Sequence, residues 1–178
     1  SFLLKVLDFA NESQLELIRE KIEKIICIGE PIRTPDFQMN NLGRRLTERL
    51  PEVKLHSTYA STEMATAITE CVSGRGGHIP SELIYIELLD AMGQNVKVGE
   101  PGEVTVTTFG IEGMPLIRYR TGDICRMHTE ACPCGNLSNR LSPVLGRRQQ
   151  IFTSHRFRYR TLLNIRCVLV AKVTKRLH

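Results

Sequence analysis

The chain is expected to be an α/β protein: a parallel sheet with crossover helices, followed by a small antiparallel β subdomain. Three observations predict this. After its lysine, the run Lys24-Ile25-Ile26-Cys27-Ile28 is apolar throughout and stops at Gly29, the pattern of a strand covered on both faces. A helical pattern and a second strand, at about Val53 to Tyr59, come next, which is the order of a right-handed parallel crossover. From Ser81 onward the pattern changes to short strands separated by Gly- and Asn-containing turns, which reads as an antiparallel sheet or small barrel.

Taken in order, residues 2 to 9 read as a short apolar helix. Asn11 to Ser13 can cap the next helix; Ser13 and Glu16 have capping-box spacing, and Leu15, Ile18 and Ile22 share a face. Glu30-Pro31 would lie at the carboxyl end of the first strand, where open α/β sheets bind ligands. Thr34-Pro35-Asp36 reads as a helix start, with a capping hydroxyl, Pro at the first helical position and an acid in the first turn. Met39, Leu42, Leu46 and Leu50 would form that helix's buried face and Arg44, Arg45 and Arg49 its solvated one, with Pro51 as the stop. A helical turn and then a Gly-rich loop are expected between Ser61 and Gly77. Leu83 to Leu89, Gly102 to Phe109, Leu116 to Arg120 and Asp123 to Met127 read as strands, with turns at 92–95 and 99–102.

A length of 178 residues with 42% hydrophobic content suffices for a core. The expected organisation is a parallel α/β nucleotide-binding part over 1–80, the antiparallel subdomain with a cysteine-rich turn over 81–145, and a hinge with a basic tail over 146–178. No internal repeat occurs. The net charge of +5 hides an asymmetry: 14 basic residues face 19 acidic ones through Glu130, and 10 basic residues with no acidic one follow it. Six cysteines, with no signal peptide and no apolar run near membrane-spanning length, point to a soluble protein of a reducing, cytoplasmic compartment without disulfides.

The chemistry-bearing stretch is Leu116-Ile117-Arg118-Tyr119-Arg120-Thr121-Gly122-Asp123. A carboxylate emerging from a Thr-Gly turn at a sheet edge can accept two hydrogen bonds, which suits the paired hydroxyls of a ribose. Arg118 and Arg120 alternate with Tyr119 and are expected to face solvent or pair with acids. Tyr59 would sit near the carboxyl edge of its sheet; taken by itself it reads as a tyrosine with a bonded hydroxyl. Thr62 and Glu63 fall on the turn after that strand. A hydroxyl there can donate to phosphate and a carboxylate can hold Mg²⁺, a hard cation that prefers oxygen ligands. A plain helix start, with Ser61 or Thr62 as cap and Glu63 favouring the dipole, is equally compatible with those residues.

Cys132-Pro133-Cys134-Gly135 is a close thiolate pair in a turn, and a zinc site with three thiolates and one imidazole needs one more Cys and a His. Cys71 and His78 are the preferred additions, tying the Gly-rich loop to the later turn. Cys125 and His128 compete, although Cys125 falls in an expected strand; unligated thiols are the third reading. Cys27 is assigned to the core.

Three motifs then carry a resemblance. Ser57-Thr58-Tyr59-Ala60-Ser61-Thr62-Glu63, the stretch ending at Asp123, and Gly146-Arg147-Arg148 resemble, in order and separation, the nucleotide-binding motifs of the adenylate-forming enzymes, and within them the phenylacetate-CoA ligase family. Gly29-Glu30-Pro31 resembles that family's adenine-side loop. The likeness covers about residues 1 to 150 and implies the later part of the large N-terminal domain up to the hinge. It implies ATP and AMP as nucleotides, Mg²⁺, and CoA as co-substrate. Tyr59 would stack on adenine, with Ala60 and Ser61 beside it; Thr62 would meet the α-phosphate and Glu63 the Mg²⁺. Asp123 would hold the ribose, and Arg147 would reach ribose or phosphate. The implied substrate is an aryl-acetic or other carboxylic acid, with no membrane and no nucleic acid as partner and no indication of oligomeric state. The family's phosphate-holding loop would lie upstream, so this chain by itself is expected to bind nucleotide weakly and catalyse little.

The family pattern stops at Gln149-Gln150, where Asp-Asp or Asp-Lys is usual. Nine of the ten basic residues noted above lie from Arg147 on. The segment is read as a shifted frame or truncated end. Two rivals are a basic arm with Phe152, Phe157 and Tyr159 free to stack on nucleic acid, and packing of Leu162, Leu163, Ile165, Val168, Leu169 and Val170 onto the domain. A zinc-stabilised nucleic-acid-binding module with a basic tail is the alternative to a ligase.

Overall fold

The computed structural model describes residues 2–148 together with 170–171. Two short helices open it, α1 (Phe2–Phe9) and α2 (Glu12–Lys21), and β1 (Lys24–Ile28) follows with the bounds that its apolar run predicts. The cap of α2 is Asn11, not Ser13. Its side chain accepts from the Gln14 amide at 3.0 Å while Gln14 Oε1 accepts from the Asn11 amide at 3.0 Å, and Ser13 donates to the same Asn11 oxygen. An asparagine two residues earlier reaches the third amide of the helix as well as a serine does, so local spacing alone left the register open.

The helix start at Thr34-Pro35-Asp36 is also corrected: α3 spans Asn41–Arg49 and Asn40 is its cap, accepting from the Gly43 amide at 2.9 Å. Residues 34–38 form a tight turn instead, in which the Thr34 amide donates to the Gln38 carbonyl. Phe37 takes φ +64, a conformation that no helix tolerates. Its ring rests edge-on against His128, 5.0 Å between centroids, so tertiary packing overrides the local helix signal.

β2 (Lys54–Ser61) runs parallel to β1, with Lys24 beside Lys54 and Ile28 beside Thr58. After Ser61 the chain makes one turn, in which the Met64 amide donates to the Ser61 carbonyl and the Ala65 amide to the Thr62 carbonyl, and no helix continues from it. Residues 62–65 form a turn closed by Ala65 at φ +50, and β3 (Thr66–Thr69) folds back antiparallel on β2. Thr-rich, β-branched sequence on both sides favours this hairpin over a helix. With β10 (Val170–Ala171) antiparallel on the other side of β1, the sheet order is β10-β1-β2-β3. Other readings of the segment after Arg148 concern residues outside those described.

The second sheet holds β4 (Gly77–His78), β5 (Ile84–Leu89), β6 (Pro101–Thr108), β7 (Tyr119–His128), β8 (Arg140–Leu141) and β9 (Gly146–Arg147), ordered β4-β8-β7-β6-β5 with β9 also on β7. The two strands expected on either side of Thr121-Gly122 are a single strand, β7. Gly122 at φ +80 makes an irregularity within it, not a turn that ends it, and the β6–β7 register shifts beside it. Asp123 therefore lies on an interior strand rather than at a sheet edge.

Apolar faces make two cores. Leu3, Leu4 and Leu7 of α1, Leu15, Ile25, Ile32, Leu46, Leu50 and Leu55 form the first; Met64 and Ile68 join Ile84, Ile86, Val104, Val106, Cys125 and Leu141 in the second. Each fully buried Leu or Ile contributes about 1.5–3 kcal/mol. Because Met64 and Ile68 come from the hairpin of the first sheet, the second core joins the two sheets, and the space between them is where a cleft opens.

Candidate functional site

That cleft is a cavity of about 420 Å³. Gly29, Glu30 and Pro31 reach it from the end of β1, Ser57 to Ala60 from β2, Asp123 from β7, and Gly146 and Arg147 from β9. All three sequence motifs and the Gly29-Glu30-Pro31 segment thus meet at one opening, at the carboxyl ends of parallel strands, where α/β sheets place ligands. Ser61, Thr62 and Glu63 are not part of its lining; they continue past Ala60 onto the turn, where Thr62 and Glu63 are exposed.

Asp123 is the polar centre. Tyr59 donates its hydroxyl to Oδ2 at 3.0 Å, and Arg147 donates Nε to Oδ1 at 3.0 Å. The latter contact follows from register, since Asp123 pairs with Arg147 between β7 and β9. Each carboxylate oxygen keeps a further lone pair, so the group can still accept two hydroxyls. Burial holds the Tyr59 phenol protonated well above its ordinary range, and the Asp123 charge adds to that. A ring wall with a bonded hydroxyl is what Tyr59 presents.

Glu63 is held below the usual carboxylate range, chiefly by a hydrogen bond from its own backbone amide, with the Arg147 charge contributing. It is an ionised, solvent-facing hard donor, which fits Mg²⁺. Arg118 pairs with Glu87 at 3.1 Å and Arg120 with buried Glu103 at 2.8 Å, so both arginines serve acids, as expected. Arg148 reaches the same Glu103 at 2.9 Å, which ties the end of β9 to β6.

Sequence reasoning did not identify the deep wall. Glu70, with a side chain 2% exposed, lines the cavity, accepts from Arg33 Nε at 2.8 Å and takes the Ser57 amide on its other oxygen at 2.8 Å. Gly76, Gly77, Ile68 and residues 141–144 complete that side. The partners of Glu70 lie 37 and 13 residues away, so nothing local marked it; the Gly76-Gly77 pair was the available signal.

Behind this wall, Cys71, His78, Cys132 and Cys134 bring one ligand atom each to within 4.8 Å of one another. Three sulfurs and one imidazole nitrogen match a tetrahedral zinc set. His78 directs Nε2 at Cys134 Sγ, 3.4 Å away, while Nδ1 meets Ser138 Oγ at 3.0 Å, the kind of outer contact that orients ligating histidines. Ser73 Oγ lies 2.8 Å from Cys71 Sγ and 3.1 Å from Cys132 Sγ. Burial opposes it, but the Ser73 hydroxyl, the Cys134 amide and the neighbouring thiols bring Cys132 down to about 6. Cys125 does not enter the group: it is fully buried in the second core, which pushes its thiol far up. His128 lies against Phe37 and 3.3 Å from Glu130 instead. The cysteines of the described residues are free thiols.

No family model matches the chain. An 80-residue stretch is 41% identical to phenylacetate-coenzyme A ligase of Thermus thermophilus, covering 44% of this chain and 18% of that protein. The phenylacetate-coenzyme A ligase of Aromatoleum evansii is 34% identical over 80 residues, again 18% of its length. In three dimensions the chain is similar to 2-hydroxyisobutyryl-CoA ligase in its open conformation with 2-HIB-AMP and CoA, at TM-score 0.61 and 24% identity over 76% of this chain and 33% of that one. The postadenylation state with R3-HIB-AMP matches at TM-score 0.62 and 20% identity, over 77% and 31%. The fold is similar to part of 2-hydroxyisobutyryl-CoA ligase, and the sequence likeness, over 80 residues, is to phenylacetate-CoA ligases. The chain spans less than a fifth of the curated relatives that it matches.

Proposed function

We propose, starting from this likeness to acyl-CoA ligases, that the chain supplies the adenosine-holding side of an AMP-forming ligase, which activates a carboxylic acid with ATP and passes it to CoA. The observation that carries the reading is the convergence of Gly29-Glu30-Pro31, Tyr59-Ala60, Asp123 and Arg147 on one cavity. The Tyr59 ring walls the adenine; Asp123 accepts the ribose hydroxyls, with Arg147 alongside. Ser61 and Thr62 follow on the exposed turn, where the Thr62 hydroxyl meets the α-phosphate. Glu63 would hold Mg²⁺, which when bound neutralises phosphate charge.

The reaction has two steps. A substrate carboxylate oxygen attacks the α-phosphorus in line and pyrophosphate leaves; the CoA thiol then attacks the acyl carbon and AMP leaves with its phosphate oxygen. Positioning and charge neutralisation supply most of the catalysis, so the residues named act by holding, not by proton transfer. An aryl-acetic acid is the substrate class suggested by the likeness to phenylacetate-CoA ligases. Cys71, His78, Cys132 and Cys134 would hold a structural zinc ion, and the free thiols fit a reducing, cytoplasmic setting. Among the described residues no helix is long and apolar enough to cross a membrane.

Calorimetric titration of AMP into the chain and its Asp123→Ala variant tests this. Hydrogen bonds to a charged group contribute about 1.5–3 kcal/mol, so the variant should bind roughly 10- to 150-fold more weakly. Equal binding by both would refute the ribose assignment. Salt-sensitive binding of any oligonucleotide, with no preference for adenosine, would favour a nucleic-acid module instead.

A further inference from the structure

The four zinc-type ligands are not remote from the cavity. Cys71 and His78 bracket Gly76 and Gly77, which line it, and His78 is itself half of β4. Cys132 and Cys134 lead into Arg140-Leu141, the strand β8, and on to the lining residues 142–144. β4 and β8 are two residues each, paired Gly77 with Leu141 and His78 with Arg140. So short a ladder is weak without support.

What holds this wall together is specific. Buried Arg140 donates to the Arg75 carbonyl at 2.5 Å and to the Glu130 carbonyl at 2.8 Å, joining the glycine loop to the turn before Cys132. Gly76 and Gly77 are wedged so closely that an added Cβ would lie 2.6 Å from the Leu141 carbonyl oxygen and 2.6 Å from that of Ile68. The wall therefore has one tight arrangement, and any loosening of β4 from β8 changes the shape of the cavity.

We infer that metal binding at Cys71, His78, Cys132 and Cys134 positions the β4–β8 wall of the nucleotide cavity, so that metal and adenosine nucleotide bind with positive coupling. The inference rests on the nucleotide reading above. A metal ion at these four atoms cross-links the two ends of the wall and leaves Gly76-Gly77 and residues 141–144 in the binding arrangement. Without it, only a fraction of molecules hold that arrangement, and apparent nucleotide affinity falls by that fraction. Linkage requires the reverse: bound nucleotide tightens the metal by the same factor.

The test uses the 178-residue chain, zinc-loaded or stripped by chelator, with AMP as nucleotide. Stripping should raise the AMP dissociation constant at least fivefold, the lower end of usual couplings of about 5- to 150-fold, and re-added zinc should restore it. Zinc affinity, read by competition with a chromophoric chelator, should rise by the same factor at saturating AMP. Amide exchange near residues 76–78 and 141–144 should speed up on stripping while β1 and β2 stay protected. Ser138→Ala, which removes only the contact to His78, should weaken zinc roughly 10- to 100-fold and recover normal AMP binding in excess zinc.

AMP bound equally by stripped and loaded protein, or uniform loss of amide protection across both sheets, would overturn the coupling and leave the nucleotide reading standing. Failure of AMP to bind the loaded chain would overturn both. Failure of zinc to bind at all would remove the coupling alone.

Discussion

Replacing Arg33 by alanine should destabilise the protein more than any change at an exposed ion pair. Glu70 is 2% exposed at its side chain and Arg33 15%, and their contact is 2.8 Å. With Arg33 gone, the carboxylate keeps the Ser57 amide as its hydrogen-bond donor and remains out of water. An uncompensated buried charge of this kind costs about 3–5 kcal/mol. The guanidinium also fills the space beneath Gly74, where an added Cβ would lie 2.5 Å from Nη2, and donates to the Phe37 carbonyl at 3.2 Å. Its loss thus frees the turn that carries the Phe37–His128 contact. At about 2–4 °C per kcal/mol for a chain of this size, the melting temperature should drop by roughly 6–20 °C.

Denaturant unfolding of wild type, Arg33→Ala, Glu70→Gln and the double variant gives the cycle. Glu70→Gln keeps an acceptor for the Ser57 amide and strands a cation that is partly solvated, so its cost should be about 1–3 kcal/mol. The double variant should cost less than the sum of the two singles, by about 0.5–3 kcal/mol. A loss below about 1 kcal/mol for Arg33→Ala, the value of a solvent-exposed pair, would refute the claim that Glu70 depends on Arg33 at the cavity floor.

Gly43→Ala should destabilise α3, although alanine normally gains about 1 kcal/mol over glycine inside a helix. The added Cβ would collide with the Ile32 carbonyl oxygen and crowd Met39; a rise in the unfolding midpoint would contradict that packing. Burial raises Tyr59 above its ordinary value of 10.0, so the folded state binds a proton there that the unfolded state releases. Stability should therefore fall as pH climbs past about 10, and in an absorbance titration one of the four tyrosines should stay protonated until the protein unfolds. Ionisation of all four in folded protein would refute the burial. Protein purified without added metal should carry close to one zinc per chain, with Cys134→Ser lowering that content; less than half an equivalent in wild type would remove the zinc assignment.

Much of this was legible one stretch at a time. The run 25–28 is read as a strand because four consecutive apolar residues suit a sheet interior, although Ile25 and Cys27 are buried and Ile26 and Ile28 only half-buried, and α3 has its face because Leu42, Leu46 and Leu50 recur at helical spacing. The cluster of Cys71, His78, Cys132 and Cys134 was legible for a different reason: few other roles bring cysteines two apart into a turn. Where the sequence misled, a local signal met a stronger distant contact. Thr34-Pro35-Asp36 would cap a helix in isolation, but Phe37 is drawn to His128, far along the chain, and the turn follows the ring.

The tertiary structure alone decided which residues face one another. Register puts Arg147 on Asp123, a parallel pairing puts the end of β1 beside the end of β2, and a carboxylate at 70 becomes a cavity floor because a guanidinium from 33 neutralises it. The first two depend on strand register across a sheet and the third on bringing two charged groups out of water together, properties of the folded pair that neither residue's neighbours in the chain encode.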